Sequence, residues 1–482
     1  MDDLMLFLPE ATALVAALLG LILAASDASY RMVWAISVAL GAAILTAAVV
    51  SLDAFGSPFF AGVYEVDLFS QVLKVGIAGG LFLTLLCGGD LGSVRERVRT
   101  DVPFFLMVST AGMMMLVSAT ELLTFYVALE LSAYGLYILA ALNQAQREGS
   151  ESAAKYVLFG AAASAVSLFG ISLVFGATRT TYMADILAIV SGLSASQTPM
   201  VAVGVLLVLA SLFFKLGVFP FHAWAPDTYQ GAPHQAAAFI GTVSKVAAVG
   251  VLIRVLSLVN PHVNDTHITE VLLLLCFLSM TVGNLAALVQ RDLKRLLAYS
   301  TVAHAGYIMI GLLVATRTGT AAAIFYALIY VPMTFCPFLV ICVLGRDGHN
   351  PTMESLRGLH RRSPFLAVIL LIGMFGLAGI PPTPGFAGKW FLFAAAIWVE
   401  GHYFWLVLVA AINATISLYY YLQVVRAAYV SPKGSEGDEP VEVPLAYKVA
   451  GVVTLVAVAV LGFFPRPVWD LAAEAARILS QY

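Results

Sequence analysis

Charge is what this chain has least of. Only 11% of its 482 residues are Asp, Glu, Lys or Arg, against roughly a quarter in soluble globular proteins. So few polar groups cannot clothe a water-facing surface. With 61% hydrophobic residues and a mean hydropathy of +0.93, the chain is expected to have lipid as its solvent. Cysteine is scarce too. Cys87, Cys276, Cys336 and Cys342 lie in or at the ends of apolar segments without C-x-x-C spacing, so they read as small buried hydrophobes. That excludes an iron–sulfur ligand set. No Gly-rich phosphate loop and no histidine pair placed for haem is found, which leaves nothing to bind nucleotide or carry electrons. A net charge of −3 without a basic tail gives no footprint for nucleic acid. Asp2 and Asp3 stand where a cleavable signal needs basic residues, so the first apolar segment is expected to remain as a helix.

What the chain does have is apolar segments of ~20 residues, the length that spans hydrocarbon. Fourteen are read, at approximately 4–26, 31–51, 67–88, 101–118, 121–143, 153–177, 199–225, 232–257, 269–289, 292–314, 319–344, 364–398, 403–429 and 446–465. The fold class is therefore all-α, a polytopic membrane bundle. The twelfth segment is too long for one straight helix and contains Gly-Ile-Pro-Pro-Thr-Pro-Gly at 379–385, which predicts a break at membrane depth. Pro220 predicts a similar break in the seventh. Placing the N-terminus outside assigns sixteen of the 25 Lys and Arg to inner loops, Lys294 among them, and five to the outer side. That bias follows the positive-inside rule and puts both termini outside. The polar stretch 431–447 reads as an inner loop, and 466–482 as a short amphipathic, interfacial end.

The remaining four cations, Lys74, Lys215, Lys245 and Lys389, fall within spans. A lysine at the centre of a spanning helix costs about 2.5–3.5 kcal/mol on insertion scales. Such residues serve ion or proton movement by default. Glu130 lies about half-way along the fifth span. Alone in hydrocarbon its carboxyl would keep its proton, and beside an ammonium such as Lys215 it would ionise. Separating the two would turn the lysine into a proton donor, although a static interhelical pair is the alternative. His222 follows Lys215 by seven residues, two turns on if the helix continues, and could relay protons, as could His304 in the tenth span. His234 looks like a helix-end residue facing the inner side. For Lys74, snorkelling or a local pair is expected, and Lys155 with Glu151 reads as an i,i+4 pair at a helix start. The seventh and twelfth spans each join a mid-membrane lysine, a proline break and a tryptophan. They lie five spans apart, so the related units would be inverted, a layout typical of transporters.

Three long motifs carry a resemblance. FFKLGVFPFHAWAPDTYQGAP (213–233), GNLAALVQRDLKRLLAYSTVAHAGY (283–307) and GIPPTPGFAGKW (379–390) resemble the antiporter-like subunits of proton-pumping NADH:quinone oxidoreductase, respiratory complex I. The Asp-Thr-Tyr-Gln-Gly-Ala-Pro wording, the length and Lys389 look like subunit N, the counterpart of mitochondrial subunit 2. The resemblance implies fourteen helices with two inverted five-helix units: an N-terminal segment at 1–100, units at 101–257 and 258–430, and an inner loop and last helix at 431–482. It also implies a proton relay of Glu130, Lys215, Lys245 and Lys389, with His222, His304 and Lys155 at family relay positions. One departure is visible. After Gly231-Ala232-Pro233 the usual Thr-Pro-Val is replaced by His234-Gln235-Ala236, and the role of His234 is left open.

The function this implies is proton translocation in a bacterial inner membrane, with both termini periplasmic. FMN, iron–sulfur clusters and quinone are expected in other subunits and no cofactor in this chain. The expected partners are an M-type antiporter-like subunit, small K-, J- and A-type subunits and the lipid bilayer. The shared lysines also fit two other readings, an Mrp-type cation/proton antiporter subunit and the membrane part of an energy-converting hydrogenase or related dehydrogenase.

Overall fold

In a computed structural model the chain is described over residues 5–54, 62–143, 148–190, 198–257, 266–399, 403–430 and 439–479. The eight residues 431–438 of the expected inner loop lie outside these. Apolar runs become helices because a helix satisfies its own backbone polar groups where no water is available. The main helices are α1 (Leu8–Ala24), α2 (Tyr30–Val50), α3 (Leu68–Leu86), α4 (Val102–Ser118), α5 (Leu122–Ala141), α6 (Glu148–Thr178) and α7 (Thr198–Leu216). A short α8 (Trp224–Gly231) precedes α9 (His234–Ser257), α10 (Thr266–Leu288), α11 (Leu293–Leu313) and α12 (Arg317–Leu344). Then follow α13 (Pro364–Ala378), α14 (Pro384–Ile397), α15 (Phe404–Tyr429), α16 (Leu445–Phe463) and α17 (Arg466–Leu479). Among the described residues twelve helices are long and apolar enough to cross a membrane. The shorter α1 and the α13–α14 pair supply the other two of the fourteen expected spans.

Both expected breaks are present, and each begins at a glycine rather than at a proline. α7 stops at Leu216 and Gly217 takes φ 84°; α13 stops at Ala378 and Gly379 takes φ 81°. The left-handed region ends a helix cheaply only at glycine. Several other helix starts are capped by side chains. Asp67 accepts from the Ser70 N–H at 2.8 Å ahead of α3, Glu121 from Thr124 at 2.7 Å ahead of α5, and Asp292 from Arg295 at 2.9 Å ahead of α11. Each offsets one orphan donor of a helix start.

α9 is buried along its whole length, and α11 and α12 nearly so. Around this core, α6 packs along α7, α4 on α5, α10 on α11, and α13 and α14 on α12. The outer helices turn large apolar side chains outward, among them Leu158, Phe169, Tyr419 and Val456. In water such a surface would aggregate; against acyl chains or neighbouring subunits it is at home. The amphipathic α17 lays Ala472, Ala475 and Ala476 onto the bundle, packing on α12 and α3.

Lys74 neither snorkels nor pairs locally. Its ammonium is fully buried and meets Glu10 of α1 at 2.6 Å, and Glu10 also accepts a hydrogen bond from the Tyr64 hydroxyl. Asp67, its neighbour on the same helix, is taken by Arg254 of α9, whose Nη2 lies 2.8 Å from both carboxylate oxygens. These two pairs tie α1, α3 and α9 together at the end of the bundle that holds the start of α1. Breaking a buried pair strands one charge, at a cost of about 3–5 kcal/mol, whereas apolar replacement of both partners is often neutral. Lys74→Leu should therefore lower the melting temperature of the purified protein strongly, and Glu10→Leu/Lys74→Leu should recover most of the loss.

Candidate functional site

Lys215, Lys245 and Lys389 gather at the two helix breaks. A helix C-terminus leaves its last carbonyls without intrahelical donors. At the end of α7 three of them are answered. Gly217 and Val218 N–H groups donate to Phe213 O at 2.8 and 2.9 Å, the Trp224 indole donates to Phe214 O at 2.9 Å, and the Lys245 ammonium donates to Lys215 O at 2.7 Å. Lys245 stands mid-way along α9, buried, with its Nζ 5.0 Å from the Trp224 ring centroid. The negative end of the α7 dipole and an aromatic face thus hold an ammonium that has no carboxylate beside it among the described residues.

The second break repeats the device. Lys389, in the first turns of α14, donates to Leu377 O at 3.1 Å and Ala378 O at 2.9 Å, the last carbonyls of α13. Its Nζ lies 5.1 Å from the Tyr307 ring centroid. Lys389 is buried here and does not snorkel. One difference separates the two sites: Lys245 comes from the following helix, and Lys389 from the far half of the same broken helix.

Lys215, one residue before the end of α7, donates to Ser132 Oγ at 2.6 Å. It makes no direct ion pair with Glu130. Ser132 and Glu130 are two residues apart on α5, hence on opposite faces of the helix. Ser132 turns inward to the lysine. Glu130 turns to α6, where it accepts a hydrogen bond from the Ser164 hydroxyl, and it is half-buried beside the exposed Tyr134. Glu130 and Lys215 are thus each held by a serine and not by one another.

His304 sits in a network of hydroxyls. Its Nδ1 lies 2.7 Å from the Tyr326 hydroxyl and its Nε2 3.0 Å from that of Tyr421, which in turn contacts Ser300 Oγ at 2.5 Å. Tyr330 contacts Thr301 Oγ1 at 2.9 Å, and Tyr307, whose ring lies under Lys389, accepts from Asn284 at 3.3 Å. The sequence reading passed over these groups. Their signal was the helical spacing of Tyr326 with Tyr330 and of Ser300 with His304, which places polar groups on one face of an apolar helix.

His222 does not share a helix with Lys215. The helix ends at Leu216, so seven residues do not make two turns. His222 is half-buried, stacks on Phe219 with centroids 5.4 Å apart, and leaves Nδ1 without a protein partner. Lys155 lies near the start of α6, as expected, and makes the i,i+4 contact with Glu151 and a second contact with Asp227, each at 2.8 Å. Asp227 also meets Arg295 at 2.7 Å. Burial pushes the Asp227 carboxyl up, but hydrogen bonds from Lys155 and Arg295 outweigh it and hold the group below the usual carboxylate range. Asp227 is thus an anion at any physiological pH, a tether rather than a carrier. Lys294, assigned above to a loop, is fully buried in the first turn of α11, where it donates to Ala232 O at 2.7 Å and approaches His234 Nδ1 at 3.4 Å. The charge count read it as a surface cation because sequence position alone does not show that the α8–α9 and α12–α13 connections fold over it.

An all-helical bundle with two helices broken at mid-length, and lysines seated on the broken ends, defines an antiporter-like membrane subunit. The family model for the NADH:quinone oxidoreductase/Mrp antiporter membrane region matches residues 119–417. The chain belongs to this family, and within it to the subunit N group of NADH-quinone oxidoreductases. It is 47% identical to NADH-quinone oxidoreductase subunit N 2 of Syntrophobacter fumaroxidans over 98% of this chain and 99% of that one. It is 44% identical to subunit N 2 of Solidesulfovibrio magneticus, over 95% and 97%. Among solved structures it is similar to a chain of respiratory complex I from Thermus thermophilus with bound Aureothin, with a TM-score of 0.80, 34% identity and coverage of 97% and 99%. The Mrp complex from Dietzia sp. shares the fold at a TM-score of 0.85 and 22% identity, covering 99% of this chain and 97% of that one.

The break geometry is testable. An alanine at Gly379 would adopt a left-handed conformation, at a cost of roughly 1–2 kcal/mol, and its Cβ would sit 3.0 Å from Lys389 Cδ. An alanine at Gly79, which has open space around it, meets neither penalty. Gly379→Ala should lower the thermal midpoint of the detergent-solubilised protein, and Gly79→Ala should leave it unchanged or raise it.

Proposed function

We propose that this chain is a proton-translocating membrane subunit of a bacterial NADH:quinone oxidoreductase. It moves protons along Glu130, Lys215, Lys245, His304 and Lys389 while other subunits reduce quinone. The observation that carries this reading is the seating of Lys245 and Lys389 on helix-end carbonyls, without a carboxylate partner among the described residues. An ammonium held only by dipoles and ring faces releases its proton more readily than one locked against a carboxylate. Lys215 lies next to it, its own carbonyl receiving the Lys245 ammonium. Two ammonium groups this close in a low-dielectric interior repel, so charging one favours discharging the other.

Glu130 then acts as the switch. When its carboxylate approaches Lys215, the positive charge stays on that lysine; when it swings to Ser164, as here, Lys215 can pass a proton towards Lys245. From the second half, His304 and its tyrosine network lead towards Lys389 and the far end. His222 and Lys155 support the inner approach, His222 as a half-buried imidazole in the α7–α8 connection and Lys155 through Asp227. Residues 101–257 and 258–430 form the two inverted units. The sixteen-to-five distribution of basic residues supports an inner-membrane orientation with both termini periplasmic. FMN, iron–sulfur clusters and quinone belong to other subunits. The half-buried Glu130 and exposed Tyr134 suit a contact with a neighbouring membrane subunit, of the M-type on one side or the small K-, J- and A-types on the other.

The test is a reconstituted complex carrying Lys215→Met or Glu130→Gln. Coupled proton pumping should fall at least about tenfold, which corresponds to ~1.4 kcal/mol in the rate-limiting transfer. Pumping at full stoichiometry in either variant would overturn the reading.

A further inference from the structure

His234 occupies the position where the chain departs from the family wording, and its surroundings fix its protonation. Nε2 lies 3.0 Å from Gly345 O, with the His349 carbonyl also near. A carbonyl has no proton to give, so Nε2 carries the hydrogen and Nδ1 is a bare lone pair. That lone pair faces Lys294 Nζ at 3.4 Å. A β-carbon at Gly345 would collide with His234 Nε2, so the glycine is what lets the ring sit there.

The same geometry limits the pair to one charge. With Lys294 as an ammonium, His234 must be neutral; with Nδ1 protonated, Lys294 must be a neutral amine. Both residues are buried, at 0% and 3% exposure, so two facing positive charges are excluded by desolvation as well as by repulsion. The ionisable groups around the pair are Asp292 and Arg295 on α11, Cys342 on α12, Arg346 and His349 beyond it, and Asp90 after α3. Asp90 is engaged by Arg346 at 2.7 Å, and neither member of the pair makes an ion pair among the described residues. Lys294 therefore has Asp292 near it but no ion-pair contact among the described residues, and it lies next to a group that can accept its proton.

The position is also suggestive. Thr301, seven residues along α11 and on the same face, and His304, ten residues along and about 15 Å further at 1.5 Å per residue, open the tyrosine network. Arg295, next to Lys294, contacts the partly exposed Asp227.

We propose that His234 and Lys294 form a one-proton loading site at the mouth of the second half, with His234 as a further proton carrier. A proton leaves Lys294 towards Thr301 and Ser300 by way of water, leaving the pair neutral. His234 Nδ1 then takes up a proton from the inner aqueous side, and that N–H bond breaks as a new one forms on the Lys294 amine, which restores the starting state. Only protons move, so no other reactant is required. The inference rests on the proton-translocating function proposed above.

The test uses the reconstituted complex with His234→Gln, whose amide can donate to Gly345 O and accept from Lys294 but cannot take up a proton. It should assemble normally, lose pumping about tenfold, and lose one inflection from the pH profile of pumping. Lys294→Arg, which keeps the charge but cannot discharge, should show the same defect. Wild-type pumping and pH profile in His234→Gln would overturn the proposal, and so would a failure of that variant to assemble, which would make the residue structural. Lys215→Met is measured alongside. Full pumping there removes the relay itself, whereas loss of pumping there with a normal His234→Gln removes only the loading site.

Discussion

The molecule depends on ammonium groups held by the open ends of interrupted helices. A carboxylate would stabilise a buried lysine more strongly, but it would also fix the charge in place. Backbone carbonyls at the ends of α7 and α13 supply partial negative charge that is permanent, oriented and without a proton of its own. The lysine remains the only member of each contact that can change its ionisation. Trp224 and Tyr307 add electrostatic attraction from ring faces, again without a titratable partner near neutral pH. The rest of the bundle buries these two seats.

The charges kept away from the breaks have a different character. Lys74 with Glu10, Arg254 with Asp67, and Asp227 between Lys155 and Arg295 are all met by opposite charge at 2.6–2.8 Å. They join helices at the two ends of the bundle and leave the centre to lysines that make no ion pair among the described residues. Under the proposed function, permanent pairs hold the helices and the cations without ion pairs move protons. His304 belongs with the second group, since its partners are hydroxyls that can both give and receive.

Much of this was legible in the sequence, because lipid imposes simple rules. The apolar runs gave the helices to within a few residues, and Pro220 and the 379–385 segment marked the breaks. Residue type alone singled out Lys215, Lys245 and Lys389. What stayed hidden was partner choice. Nothing in the order of residues says that Ser132 rather than Glu130 meets Lys215, because two positions on one helix differ by face and the facing helix is unknown. Proximity in the chain misled for His222, since Gly217 ends the helix between it and Lys215. Counting cations by loop misled for Lys294, whose burial depends on segments far away in sequence. The tyrosines escaped notice because each alone is an ordinary core residue, and only their convergence around His304 makes them a network.

Asp227 has one more consequence. Its two oxygens are claimed separately, Oδ2 by Lys155 of the first half and Oδ1 by Arg295 of the second. A shift of α6 relative to α11 therefore loads one carboxylate from two sides, and the weaker of its two contacts is the one that gives.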